Sequence, residues 1–224
     1  MLNNQTIKHN IQQILQKIPS GVTLEAAAKT RSVKEVKAAI EAGISMIGYN
    51  YVQEAESIKS QITADVRWHM IGHLQKNKVK KAAALFDMIE TVDSVELAQR
   101  IDKECAKIDR AMDVLIEVNS GREPNKAGVF PEHVESLIRD IHDVPHICIK
   151  GLMTMGPWLD DPEELRPYFR QTREIFDHLS ELNIPRVEMT HLSMGMSDSY
   201  EIAVQEGATI VRLGTILFGP RPAR

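Results

Sequence analysis

The chain has 224 residues, a net charge of −4 at pH 7 and 43% hydrophobic residues, a balance typical of a globular protein. Its length suits one sizeable domain with a buried core, and its mildly acidic charge speaks against a nucleic-acid-binding protein. The N-terminus carries no uninterrupted apolar stretch, which argues against a signal peptide or a membrane span. The two cysteines, Cys105 and Cys148, lie far apart and outside any metal-binding spacing, so we expect reduced thiols in a cytoplasmic protein.

The chain begins with an amphipathic helix predicted over residues 3–18, in which Ile7, Ile11 and Ile14 follow helical spacing. Strand-like and helix-like segments alternate from there to the end. The strands are predicted over residues 22–29, 44–49, 66–71, 87–92, 112–119, 147–153, 187–192 and 209–214. The helices between them are predicted near residues 32–42, 51–61, 75–85, 94–108, 131–141, 161–182 and 198–206.

This alternation predicts the fold class. Strands that are each separated from the next by a helix imply an α/β protein with a parallel sheet. Eight such units in a chain of this length favour one closed (β/α)8 barrel, a TIM barrel, over residues 1–224. Because the chain ends soon after the eighth strand, we expect the N-terminal helix to fill the place of an eighth helix. A doubly wound open sheet is the structural alternative.

Charged residues interrupt the predicted strands. A parallel strand of a plain barrel is almost continuously apolar, whereas buried charges need partners. Several charges at alternating positions therefore suggest an interior lined with polar groups. The residues concerned are Glu25, Glu90, Glu117, Lys150, Glu188 and Arg212.

Lys29 stands at the end of the first predicted strand. Ser32 opens the next helix at once, with Glu35 three residues later as the partner in a capping box. Strand alternation puts Glu25, Ala27 and Lys29 on one face. Lys29 is thus either a solvated lysine at a strand end or an amine presented at the mouth of the barrel.

The loops after strands seven and eight are the second candidate feature. They read Ser193–Ser197 and Gly214-Thr215, at the positions where this fold often binds phosphate. Small residues, backbone amides and hydroxyls at a turn suit a phosphate group, although ordinary turn glycines would look the same. Arg212 shares a face with Gly214, and there it pairs with an interior glutamate or donates to a ring nitrogen of a bound cofactor. An amine, a phosphate site and an arginine together suit a lysine that forms a Schiff base with a phosphorylated aldehyde.

These features come with a family resemblance. The sequence resembles the pyridoxal phosphate homeostasis protein family, relatives of the N-terminal barrel domain of alanine racemase. The stretches that carry the resemblance span nearly the whole chain and keep the family order. They are Ala28–Thr30, Gly48–Glu54, Trp68–Lys78, Gly151–Met153, Leu192–Asp198 and Val211–Thr215.

The resemblance implies a pyridoxal 5'-phosphate (PLP) cofactor bound covalently to Lys29. It also implies phosphate contacts from Ser193, Gly214 and Thr215, a position for Arg212 near the pyridine nitrogen, and Asn50 in the same pocket. Two residues depart from the family pattern. Tyr49 stands where the family usually has Glu, which puts any role of that Glu in doubt, and Ser199 stands where an acidic residue is common.

The histidines of strand three have ordinary interpretations. His69 shares a face with Ile71, and a hydrogen-bonded interior histidine is the favoured interpretation over a general base. His73 is expected at the rim of the barrel. Lys76 and Lys78 open the next helix and are expected to form a solvated face rather than a docking patch.

The expected function is therefore intracellular PLP (vitamin B6) homeostasis by a protein that holds the cofactor as a Schiff base on Lys29 without robust turnover. A racemase needs a second base; in alanine racemase it is a tyrosine supplied through a separate domain and the partner subunit, and no such domain is seen here. The alternatives are an enzyme, either a weak PLP-dependent amino-acid racemase or a Schiff-base aldolase, and a regulatory binding module. Expected partners are PLP and PLP-dependent apoenzymes as recipients, with no nucleic acid, no membrane and a monomeric state.

Overall fold

Eight parallel strands close on themselves in the computed structural model, which describes residues 2–220. Each strand pairs with its neighbours in chain order, and the last pairs with the first. The closed sheet confirms the predicted (β/α)8 barrel and excludes the doubly wound alternative. Met1 and residues 221–224, which belong to the domain predicted over residues 1–224, lie outside the described residues.

The elements follow the predicted order. The strands are β1 (Thr23–Ala27), β2 (Met46–Tyr49), β3 (Arg67–Met70), β4 (Met88–Val92), β5 (Met112–Val118), β6 (Ile147–Thr154), β7 (Val187–Ser193) and β8 (Ile210–Leu213). The helices are α1 (Asn4–Lys17), α2 (Val33–Glu41), α3 (Val52–Lys59), α4 (Val79–Leu85), α5 (Val95–Ala106), α6 (Val134–Ile141), α7 (Arg166–Glu181), α8 (Tyr200–Gln205) and α9 (Thr215–Phe218). Short 3-10 turns over Lys76–Lys78, Pro131–His133 and Pro162–Leu165 precede α4, α6 and α7. None of the helices that the structure describes is long and apolar enough to cross a bilayer.

The N-terminal helix completes the outer layer. α1 packs against α2 and against the short α9, and Asn10 Nδ2 donates to the carbonyl oxygen of Leu217 at 3.2 Å. It thus covers the sheet after β8, where a helix was expected. α9 is not among the predicted helices, because its four residues are too few to show a helical period.

The core has two parts. The large one lies between the strands and the outer helices, where Val114 and Ile116 of β5 are buried. A small apolar cluster of Met88, Leu115 and Met153 lies inside the barrel. Alternation along β5 therefore divides its side chains between interior and helices as predicted.

Charged side chains line the interior of the barrel, but fewer of them than the sequence predicted. Glu25, Glu90 and Arg212 are buried inside the barrel. Lys150 and Glu188 are an exception, because they pair with each other at 2.7 Å and the Glu188 side chain is 62% exposed. The register of β6 against β7 shifts between Ile149 and Gly151, so simple alternation does not hold there.

Candidate functional site

Lys29 lies at the carboxyl end of β1, where the barrel opens. The strand stays in the sheet up to Ala28, whose N–H donates to the carbonyl oxygen of Gly48 at 2.9 Å. Thr30 then adopts a positive φ of 66°, and the capping box of Ser32 and Glu35 starts α2. The half-buried side chain of Lys29 places its Nζ 4.9 Å from the centre of the Tyr51 ring. A primary amine therefore stands at the mouth, held by a short and well-defined turn.

The turn after β8 presents backbone amides to a single hydroxyl oxygen. Gly214 N and Ile216 N each donate to Ser197 Oγ at 3.3 Å. Arg212 N donates to the carbonyl oxygen of Gly195 at 3.0 Å, which holds the loop after β7 against β8. The exposed Thr215 lies between the two amides in sequence. An oxygen that accepts from two amides marks a place that suits a phosphate oxygen equally well.

The same turn lies next to β1. A Cβ on Gly214 would lie 3.3 Å from the carbonyl oxygen of Ala27, so the absence of a side chain lets the two strand ends approach. The amides of this turn and the Lys29 amine therefore belong to adjacent strand ends.

Ser193 lies inside the barrel, away from these amides. Its fully buried hydroxyl donates to Glu90 Oε2 at 2.6 Å and accepts from Arg212 Nη1 at 2.7 Å. In this structure its hydroxyl is paired inside the barrel, and the predicted phosphate contact of Ser193 stays a prediction. Ser197, four residues later, was part of the predicted loop but not of the predicted site. The sequence offers two serines in this loop and no signal that separates them.

Arg212 points into the barrel from β8. Besides Ser193, its guanidinium donates from Nη2 to the carbonyl oxygen of Thr154 at 2.9 Å, and the residue is only 5% exposed. In the register of the sheet Arg212 lies opposite Glu25 of β1. The structure thus brings together Arg212, Ser193 and the interior carboxylates. The amides of Gly214 and Ile216 follow Arg212 directly in the sequence.

Three buried ionisable side chains meet beneath this arginine. His69 Nδ1 lies 2.8 Å from Glu90 Oε1, to which it is hydrogen-bonded, and 3.1 Å from Glu25 Oε1. All three side chains have no exposed surface. A Cβ on Gly48 would lie 3.0 Å from the Glu25 carboxyl group, so β2 leaves the space that this carboxyl occupies. His69 is therefore the hydrogen-bonded interior histidine that the sequence predicted.

The pKa values of the two carboxyl groups in this cluster are shifted in opposite directions. Burial and the negative charge of Glu90 raise the pKa of Glu25 to about 7. Burial alone would raise the pKa of Glu90 too, but the hydrogen bond from His69, the two nearby cations and the Ser193 hydroxyl lower it overall. Burial opposes the charged form of His69, yet Glu25 and Glu90 raise its pKa to about 9. These shifts favour an ionised Glu90 beside a protonated His69.

Asn50 follows β2 at the mouth, next to the strand that carries Lys29. It borders two clefts, of about 370 and 230 Å³, together with the exposed His73 of the rim. A Cβ on Gly72 would lie 2.6 Å from the backbone oxygen of Asn50, so only glycine lets the ends of β2 and β3 approach so closely. His73 thus lies at the rim as predicted, and the place of Asn50 in the cofactor pocket stays a prediction.

Glu117 adds a carboxyl group to the smaller of these clefts. It stands on the inward face of β5, and its Oε2 is buried without a hydrogen-bond partner within residues 2–220. Burial and the charge of Asp93 raise the pKa of Glu117 to about 7. The sequence indicated an inward Glu117, but not that it faces the cleft without a partner.

The side chain of Tyr49 points away from the mouth of the barrel. It is fully buried and stacks on Trp68, with ring centres 5.9 Å apart. Burial and the charge of Glu54 raise the pKa of its hydroxyl far above the usual value. The tyrosine that departs from the family pattern therefore belongs to the layer between strands and helices.

Comparison with known proteins shows the family of this chain. The model of the family "Alanine racemase, N-terminal domain" matches residues 2–222. A pyridoxal phosphate homeostasis protein of Aquifex aeolicus is 43% identical over 200 residues, which cover 88% of this chain and 86% of that protein. PipY of Synechococcus elongatus has been solved with PLP bound; it is 33% identical, with a TM-score of 0.88, and the match covers 95% of this chain and all of that chain.

A more distant structure shows the fold alone. Alanine racemase of Clostridium difficile is 17% identical and superimposes with a TM-score of 0.83, over 98% of this chain and 58% of that chain. The family model and the relatives above 30% identity cover most of the chain. The chain therefore belongs to the pyridoxal phosphate homeostasis proteins, within the family of the alanine racemase N-terminal domain.

Proposed function

We propose that this chain is a single PLP-binding domain that acts in cytoplasmic vitamin B6 homeostasis. It holds the cofactor as a Schiff base on Lys29, hands it over to PLP-dependent apoenzymes and has no robust turnover of its own. The observation that carries this proposal is the position of Lys29 at the end of β1, beside the strand that carries Arg212 and leads into the Gly214 amide. The PLP-bound structure of PipY supports the choice of cofactor.

The chemistry of the donor groups fits this cofactor. A half-buried primary amine suits an aldehyde, and two amides that converge on one oxygen suit a phosphate. When bound, the cofactor supplies an aldehyde carbon that exchanges between primary amines. The side chains around it belong to the protein and decide how it is held.

Each residue then has a task. The amides of Gly214 and Ile216 and the hydroxyls of Ser197 and Thr215 bind the phosphate. Arg212 donates to the pyridine nitrogen, and Asn50 lines the pocket. Ser193 takes a place below Arg212 instead of a phosphate contact.

Arg212 also explains weak turnover. A guanidinium is protonated at any physiological pH, and a cation next to the pyridine nitrogen opposes a second positive charge there. Reactions that need the ring to stabilise a carbanion are then slow. Exchange of Lys29 for another amine does not need that stabilisation, so handing over remains open.

The direct test is a transfer experiment. The protein is loaded with PLP, freed of unbound cofactor and mixed with a PLP-dependent apoenzyme whose activity is followed. We expect activity to return with loaded wild type, whereas Lys29→Ala does not retain a load and Lys107→Ala behaves as wild type. A loaded protein that keeps its visible absorption band and restores no activity would contradict the hand-over.

A weak PLP-dependent amino-acid racemase is the second candidate. The observation that favours it is the half-buried Glu117, which lines the cleft that Asn50 borders and whose Oε2 has no hydrogen-bond partner among the described residues. Such a group suits a general base. Exchange of the α-proton of L-alanine with deuterated solvent, followed by proton NMR, separates the two candidates.

The carrier proposal expects little exchange. Exchange at about 1 per second or faster, lost in both Lys29→Ala and Glu117→Gln, would establish the racemase instead. Exchange lost only in Lys29→Ala would show turnover without a role for Glu117.

A further inference from the structure

A directed chain of hydrogen bonds runs beneath the proposed cofactor site. Arg212 Nη1 donates to Ser193 Oγ at 2.7 Å, and Ser193 in turn donates to Glu90 Oε2 at 2.6 Å. The other oxygen of Glu90, Oε1, accepts from His69 Nδ1 at 2.8 Å. Glu90 therefore accepts on both oxygens at once.

We propose that Glu90 is a positioning residue for Arg212, that it acts through the Ser193 hydroxyl, and that His69 keeps it ionised inside the barrel. The inference rests on the proposed function, since Arg212 matters there as the donor to the pyridine nitrogen. Ser193 can accept from Arg212 only while its own proton is directed elsewhere, and Glu90 is the acceptor that directs it. The Thr154 carbonyl oxygen fixes the second Nη of Arg212 at 2.9 Å. The guanidinium is thereby held at both ends.

The interior around Glu90 is charged on several sides. Ionisable side chains face it from β1, β3, β7 and β8: Glu25, His69, His191 and Arg212. Glu90 is fully buried, so an ionised form needs partners. Two cations and a hydroxyl supply them, which agrees with the lowered pKa of Glu90 and the raised pKa of His69.

A metal ion is the competing explanation. Glu25, His69 and Glu90 offer one ligand atom each, all within 4.8 Å of one another. A divalent cation there would displace the His69 proton and would lie near the guanidinium of Arg212. The hydrogen bond of 2.8 Å between His69 and Glu90, together with that nearby cation, favours a proton over a metal ion.

Glu90→Gln is the most informative variant, because it keeps the shape of the side chain and removes its ability to accept hydrogen bonds at both ends. An amide accepts on one oxygen only and turns a donor toward either Ser193 or His69. Ser193→Ala breaks the same chain one step later. Glu188→Gln is the matched control, since Glu188 is also a strand carboxylate but pairs with Lys150 outside the barrel.

The measurement compares two ligands. One is PLP, and the other is its analogue with carbon in place of the ring nitrogen. We expect Glu90→Gln and Ser193→Ala to raise the dissociation constant for PLP about tenfold and that for the analogue less than about twofold, because only PLP offers the acceptor that Arg212 addresses. Equal losses for both ligands, or no loss for PLP, would overturn the positioning role.

A second measurement on the protein without cofactor keeps this inference separate from the proposed function. Nitrogen-15 NMR of the His69 ring reports its protonation directly. We expect a doubly protonated ring at pH 7 in wild type and a lower ring pKa, by about one unit or more, in Glu90→Gln. A neutral His69 ring in wild type, or its loss of the proton on addition of Zn²⁺ or Mn²⁺ alone, would overturn the inference. If wild type bound neither ligand while His69 stayed protonated, the proposed function would fail and the interior hydrogen-bond chain would stand without a role in cofactor binding.

Discussion

The two serines of the loop after β7 show what a single residue can and cannot reveal from sequence. Lys29, Arg212 and Gly214 could be placed at one end of the barrel from strand alternation and strand order, whereas the expected place of Asn50 came from the family resemblance. The orientation of a hydroxyl within a glycine-containing loop cannot be predicted from the sequence in this way. Ser193 is the last residue of β7 and points inward, whereas Ser197 lies beyond the turn at Gly195 and reaches the Gly214 amide.

Thr215 tests the phosphate site at this scale. Thr215→Val removes one hydroxyl and keeps every backbone amide, so we expect a loss on the order of 1–3 kcal/mol in PLP binding, as for a hydrogen bond to a charged acceptor. Isothermal titration calorimetry measures it. Thr190→Val is the control, because Thr190 is exposed on β7 and its hydroxyl donates to the carbonyl oxygen of Lys150. A dissociation constant unchanged by Thr215→Val would remove this hydroxyl from the site.

At the scale of the elements, the periodic sequence pattern predicted the strands and their order. All eight strands and the closed parallel sheet follow from alternating segments and their number. The meeting of Glu25, His69 and Glu90 did not follow, because it depends on the stagger of β1, β3 and β4, which hydrophobic pattern alone leaves open. The exposed pair Lys150–Glu188 was missed for a related reason, since a register shift breaks the alternation between β6 and β7.

Gly48 of β2 tests how tightly the interior is built. A Cβ there would lie 2.6 Å from Ile71 Cδ1 and 3.0 Å from the Glu25 carboxyl group. We expect Gly48→Ala to lower the free energy of unfolding by about 1–3 kcal/mol through overpacking, measured by urea denaturation. Gly21→Ala is the control, because nothing lies within 4 Å of its added Cβ. Equal stability of the two variants would show that the Glu25 carboxyl group moves freely.

At the scale of the whole molecule, the buried cluster ties stability to pH. The pKa of His69 is raised from 6.5 to about 9 by Glu25 and Glu90, against the opposing effect of burial. The folded state therefore holds this proton more tightly than the unfolded chain. Its contribution is fully present below pH 6.5 and is lost as the pH rises through about 9. Glu25, with a pKa raised to about 7 by burial and by Glu90, acts in the same direction at lower pH.

The loss of stability above neutral pH is large enough to measure. We expect the free energy of unfolding of wild type to fall by an amount on the order of 3 kcal/mol between pH 7 and about pH 9.5 through His69. His69→Gln should show a shallower slope over this window, whatever its stability at pH 7. His142→Gln, at a half-buried site on the outside of the barrel, is the matched control. Parallel curves for wild type and His69→Gln would mean that His69 is neutral in the folded protein.

The proposed Schiff base between PLP and Lys29 can be tested directly by chemical reduction. Borohydride reduces a Schiff base to a stable amine, so the loaded protein is reduced, digested and mapped by mass spectrometry. We expect the pyridoxyl adduct on Lys29, at the end of β1, and its disappearance in Lys29→Arg while the Gly214 turn stays intact. An adduct on any other lysine of wild type, in place of Lys29, would contradict it.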